Sequence, residues 1–188
     1  MEATVDLDGV RTWYAVDGAG DPLVYLHGGF SDSGELDPVR ARRMVMISGQ
    51  FHRDGLLPDL FGDDPEAAVA GMAESPQARR YAGVSPEGPE HYPVVAEKIM
   101  RMAFEEPRLD VAELAGVHTR TLVAAADDDI VRPEHTIEIY RTIPDAEPAV
   151  VPGTSHVLIL EKPDLVAQLV LDFLTTDPVP TRIPIRRK

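Results

Sequence analysis

The chain has no cysteine, which excludes a disulfide frame, a thiolate nucleophile and a cysteine-held metal. It is also poor in positive charge. Eighteen Lys and Arg stand against thirty-two Asp and Glu, for a formal net charge of −14. Such a surface repels nucleic acid and anionic membranes, so neither is expected as a partner; a neutral small molecule fits it better. No apolar run approaches membrane-spanning length, and the opening MEATVDLDG lacks the apolar core of a signal segment. A soluble, cytoplasmic location is the expectation. The histidines (His27, His52, His91, His118, His135 and His156) are scattered without a zinc spacing. His135 and Glu138 could share a helix face, where a solvated surface role is expected. No metal or cofactor is implied.

What remains is a chain of 188 residues, 44% of them apolar, enough for one domain with a sizeable core. TVDLDG and VRTWYAVDG alternate apolar and polar residues around Asp8-Gly9 and predict an antiparallel hairpin. PLVYLHG, RRMVMISG at 42–49 and RTLVAAADDD at 120–129 are continuous apolar runs, each ending in small or polar residues. That is the pattern of strands buried on both faces of a parallel sheet, whose carboxyl ends carry the chemistry.

Residues 50–110 are broken by seven prolines and hold short helical patches, DPEAAVAGMAES and HYPVVAEKIMRMAFEE. The second spaces Val94, Val95, Met102 and Phe104 around Ile99, with Glu97, Lys98 and Arg101 between them. Met100, Met102 and Phe104 could line a ligand cavity, although a packing stripe is the simpler reading. The segment reads as a helical cap inserted into a core formed by 1–49 and 111–188. PEHTIEIYRTI predicts a helix with Pro133 in its first turn. AVVPGTSHV predicts a strand followed by a Gly-containing loop. KPDLVAQLVLDFLTT predicts a long helix burying Leu165, Leu169 and Phe173. The Pro-rich tail DPVPTRIPIRRK predicts irregular chain.

Three landmarks follow in order: His27-Gly28-Gly29-Phe30 after a buried strand, Asp127-Asp128-Asp129 at the end of another, and Gly153-Thr154-Ser155-His156 ahead of the last helix. In LVYLHGGF, LVAAADDDIVRPEH and VVPGTSHVLILEKPDLV the chain resembles the α/β-hydrolase family, and more narrowly its cap-bearing esterases, lactonases and C–C-bond hydrolases. The resemblance implies a mostly parallel α/β sheet with a helical cap. It implies Asp129 as the acid, His156 as the general base, and the backbone N–H groups of Gly29 and Phe30 as oxyanion donors. A histidine needs a buried carboxylate to fix its tautomer, and N–H groups in a Gly-rich turn can approach an oxyanion closely.

The family's nucleophile sits on a G-x-S-x-G elbow before the strand matching RRMVMISG. No G-x-S-x-G occurs in the chain, and only SDSGELDPVRA separates Phe30 from Arg42. The fold is therefore expected to lack two central strands with their helices. Ser31, in Gly29-Phe30-Ser31-Asp32-Ser33, is the candidate substitute. Ser48 is expected to cap a turn, and Ser155 to point away from His156. Lost strands would leave raw sheet edges that a homodimer could cover. The open readings are a Ser-His-Asp hydrolase of a small neutral ester, lactone or related carbonyl compound with a displaced serine; a non-catalytic or internally deleted scaffold acting as a binding module; and a hydrolase completed by a partner chain.

Overall fold

The computed structural model describes residues 2–7, 10–15, 18–19, 42–58, 65–85, 87–105 and 107–183. The expected PLVYLHG strand, the His27–Phe30 loop with its proposed oxyanion donors Gly29 and Phe30, and Ser31 lie outside the described residues. The chain divides into two compact units, Met1–Ser31 and Asp32–Lys188. The first contains β1 (Glu2–Leu7) and β2 (Val10–Ala15), paired antiparallel from Glu2↔Ala15 to Leu7↔Val10. This is the expected hairpin.

In the second unit, β3 (Arg43–Ile47), β4 (Arg120–Asp128) and β5 (Ala146–Ser155) form a parallel sheet with β4 in the middle. Thr121 to Ala126 are all buried. Side chains alternate across β4 with the two-residue period of a strand. Leu122 and Ala124 pack with Phe173, Val45 and Ile47, and Ala126 with Val151, Leu158 and Val166. Val123 faces the other way, onto Phe51, Leu114, Ile139 and Ile143. The sheet is thus covered on one face by α4 (Pro133–Thr142) and on the other by α5 (Leu158–Glu161) and α6 (Pro163–Thr175). The observed architecture is the expected mostly parallel α/β sheet. Among the described residues β3 and β5 pair only with β4.

α6 begins at Pro163, where the missing N–H costs nothing. Its buried face is Val166 and Phe173, with Leu169 and Val170 half-buried against the same cores. Leu165, expected inside, is 47% exposed; the helical period carries 166, 169, 170 and 173 inward and turns 165 out. The carboxyl end of α6 is tied to the sheet by two arginines. Arg43 Nη1 donates to the carbonyls of Phe173 (2.6 Å) and Thr176 (2.7 Å), and Arg120 Nη1 to the same two at 3.2 and 2.9 Å. These are the orphan carbonyls of a helix end, where cations are favoured. Arg120 also lies over the Phe173 ring and pairs with Glu147.

Between β3 and β4 come α1 (Pro65–Met72), α2 (Pro76–Val84) and α3 (Tyr92–Glu105). Ser75 caps α2 by accepting from Ala78 N. The three helices pack through Ala78, Tyr92 and Ala96, with Val69, Met72 and Tyr81 around them. The stripe on α3 differs from the expected one. Tyr92, Ala96 and Met100 are buried, whereas Val94 (42%) and Met102 (38%) are exposed; the Phe104 side chain lies outside the described residues. Met102 therefore lies outside the buried stripe. The two ends of the segment between β3 and β4 meet. His52 and Arg108 form a β-bridge, Arg53 N donates to Pro107 O (2.8 Å), and Leu109 N to Phe51 O (3.0 Å).

His135 is not on a solvated surface. It is buried, stacked on Phe51 at 4.2 Å, and its Nε2 accepts from Phe51 N (3.2 Å). The first turn of α4 faces the segment that follows β3, so a position that reads as surface-facing is covered by Phe51 and Gly55. Burial lowers the His135 pKa, a trend that Glu138 opposes and Arg132 reinforces. The tail from 177 to 183 is irregular, as expected.

Candidate active site

The register of β4 against β5 brings Asp129 to His156. Parallel pairing runs from Thr121↔Ala146 to Ala126↔Val151, then, past an irregularity, to Asp128↔Ser155. Asp129 and His156 are the next residues on each strand and so emerge side by side at the carboxyl edge. β5 continues through Pro152-Gly153-Thr154-Ser155, where a loop was expected; Gly153 supplies the positive φ (65°) that bends it. β3 ends earlier, at Ile47↔Ala124, and Ser48 follows with its N–H on Ala124 O (2.8 Å). Three parallel strands thus place Ser48, Asp129 and His156 at one edge.

His156 Nδ1 lies 2.8 Å from Asp129 Oδ1. With the carboxylate ionised, Nδ1–H donates and Nε2 is left as the basic nitrogen. The Asp129 side chain is 1% exposed and that of His156 41%: a buried acid behind a half-open base. Asp129 Oδ1 also accepts from Val131 N (3.1 Å), and Oδ2 from Ser48 Oγ (2.5 Å) and Ala126 N (3.2 Å). Burial pushes the Asp129 carboxyl upward, but the hydrogen bonds from His156, Ser48, Val131 and Ala126 outweigh it and hold it down, from 3.8 to about 2. It is ionised throughout the neutral range.

The histidine loop is fastened by side chains that sequence reasoning did not single out. Asp127 Oδ1 accepts from Thr154 N (3.0 Å), and the backbone N–H groups of Gly153 and Thr154 keep its carboxyl below the ordinary range. Glu161 accepts from Ser155 N (2.6 Å) and Ser155 Oγ (2.8 Å), and Lys162 Nζ donates to Pro152 O (2.5 Å). Ser155 is thereby turned onto Glu161. The signal is legible in part, since an acid six residues after Ser155 and a lysine ten residues after Pro152 stand next to each other at the adjoining α5–α6 corner. Ser48 is not the expected turn cap. Its hydroxyl reaches across to the acid, because the chain leaves β3 at φ +48°.

Among the described residues no group of three or more His, Asp or Glu could hold a metal ion, and no helix is long and apolar enough to cross a membrane.

No protein-family profile matches the chain. Solved structures do. An α/β-hydrolase enzyme from a Medee basin deep-sea metagenome library superposes with a TM-score of 0.53 at 18% identity, over 79% of this chain and 61% of its own. An esterase from Rhodococcus sp. ECU1013 gives 0.50 at 16% identity, over 72% and 56%. An enzyme that degrades N-acyl homoserine lactones gives 0.50 at 22%, over 73% and 60%. The chain has the α/β-hydrolase fold. It spans only about three fifths of the length of these structures, 61%, 56% and 60% in turn, as expected of a core short of strands and helices.

Proposed function

We propose that the chain is a hydrolase-type α/β scaffold whose acid–base pair is Asp129 and His156, acting on a small neutral ester, lactone or related carbonyl compound. The observation that carries this is the 2.8 Å contact between His156 Nδ1 and a buried, four-bonded Asp129 carboxylate. That contact selects the tautomer whose Nε2 can take a proton from a hydroxyl or a water. Neutral substrates suit a surface of net charge −14. Residues 50–110 are the proposed cap, and the Gly29 and Phe30 N–H groups the proposed oxyanion donors. Ser31 is the serine the sequence offers as nucleophile; Ser48 is not, because its hydroxyl proton is given to the acid rather than to the base.

That same bond favours a second reading. The described serine nearest the pair is committed to Asp129, and among the described residues no serine engages His156 Nε2. A non-catalytic scaffold would look the same. A fluorophosphonate probe separates the two. Labelling that maps to Ser31 and disappears in His156→Ala supports the hydrolase. A folded protein that takes up no probe, and that hydrolyses p-nitrophenyl acetate no faster than His156→Ala, leaves the scaffold reading standing.

A further inference from the structure

We propose that Ser48 is a positioning residue, whose hydroxyl locks the Asp129 carboxylate in the orientation that presents Oδ1 to His156. The inference rests on the reading of Asp129 and His156 as an acid–base pair.

The bonds to the carboxylate differ in origin. The N–H groups of Ala126 and Val131 belong to the segment that carries Asp129 itself, so they move with it. His156 is the group to be oriented. Ser48, from β3, is the one remaining donor, and it ties the carboxylate to a different strand at 2.5 Å. With Oδ2 held by Ser48, rotation of the carboxylate would break a charge-assisted bond inside a poorly hydrated pocket, since Ser48 is only 9% exposed. Oδ1 is then left facing the imidazole.

The backbone supports the same conclusion. Ser48 is the only non-glycine residue with positive φ among the described residues. That conformation costs an L-residue roughly 1–2 kcal/mol and is ordinarily given to glycine or asparagine. A glycine stands next in the chain, yet the strained position is serine. Gly49 has a steric reason of its own, because a Cβ there would meet Met46 Cγ at 2.5 Å and displace that side chain. The strain at Ser48 is offset by what its hydroxyl reaches. The ladder bond from Ser48 N to Ala124 O holds the residue in place.

The test uses Ser48→Gly in the full chain, with Ser48→Ala beside it. Glycine removes the hydroxyl and the backbone strain together, so the variant is expected to be at least as stable as Ser48→Ala. Imidazole 15N shifts, assigned by comparison with His156→Gln, report the ratio of the Nδ1–H to the Nε2–H tautomer at neutral to mildly alkaline pH. We expect that ratio to fall at least twofold in both variants, with Nδ1–H exchanging several-fold faster with solvent. A purely structural serine would alter stability and leave the tautomer ratio alone. An unchanged ratio in folded Ser48→Gly overturns the proposal. The readout needs no substrate, so a protein that takes up no fluorophosphonate yet shows the tautomer change has lost the hydrolase reading and kept this one.

Discussion

Replacing Asp129 by asparagine keeps the shape of the side chain and removes its charge. Two opposing effects meet there. Burial of a carboxylate disfavours the charge, so burial alone predicts that Asp129→Asn stabilises the protein. The four hydrogen bonds favour the charge, and the depression of the Asp129 pKa from 3.8 to about 2 says that they win. At 1.36 kcal/mol for each pH unit, that depression amounts to about 2.4 kcal/mol of native-state stability at pH 7. The asparagine Nδ2 would also face a donor, most simply Ala126 N–H, because Ser48 Oγ can rotate and accept; an unsatisfied buried N–H costs about 1–3 kcal/mol. The two contributions overlap, so the expected loss is about 2–4 kcal/mol, read from urea unfolding by circular dichroism. The pH dependence supplies the sharper check. Because the folded-state pKa is the lower one, the stabilisation is complete above the unfolded value and is lost as pH falls through the folded value. About 1 kcal/mol of the difference between wild type and Asp129→Asn should vanish between pH 5 and pH 3. A penalty below about 0.5 kcal/mol, or one that does not change with pH, would refute the reasoning.

Other expectations follow from the packing. Gly55→Ala places a Cβ 2.5 Å from His135 Cδ2 and 2.6 Å from Nε2, so the ring must shift off Phe51 N; a loss of about 1–3 kcal/mol is expected in thermal or urea unfolding. His135 is buried with its pKa lowered, so the stability its neutral form provides is present above the unfolded histidine value and declines as pH falls below about 6.5. His135→Gln should flatten that decline between pH 7 and pH 5, and an unaltered pH profile would show that protonation of His135 is not its source. On α6, Phe173→Ala should cost about 3–5 kcal/mol and Leu165→Ala within about 0.5 kcal/mol; equal losses would place the buried face of the helix wrongly.

Much of this architecture is legible from hydrophobic period alone. The runs RMVMI and LVAAA read as strands of a parallel sheet, and both are; only LVAAA, in β4, is buried along its length, while β3 is half-buried throughout. Pro133 and Pro163 mark the starts of their helices. The contact between Asp129 and His156 is legible as well, through the resemblance that singles out Asp129 among three adjacent aspartates and His156 among six histidines. What escapes the sequence is set by tertiary contact. Leu165 and Val166 are both apolar, and only the packing of α6 against the sheet decides which one turns inward. His135 reads as a surface residue until Phe51, eighty-four positions earlier, is seen to lie over it. Ser48 reads as a turn residue because nothing local reveals a left-handed backbone or a carboxylate eighty-one residues away.

The bridge between His52 and Arg108 bears on how the chain assembles. β3 and β4 are neighbours in the sheet, yet three helices separate them in sequence. If His52 and Arg108 pair first, the remaining connection is shorter by roughly fourfold, and logarithmic loop-closure scaling makes the β3–β4 pairing easier by about 1 kcal/mol. The same closure makes the helices a cassette. A segment whose entry and exit are already joined can be shortened, exchanged or fused to another domain while the sheet edge bearing Ser48, Asp129 and His156 keeps its geometry.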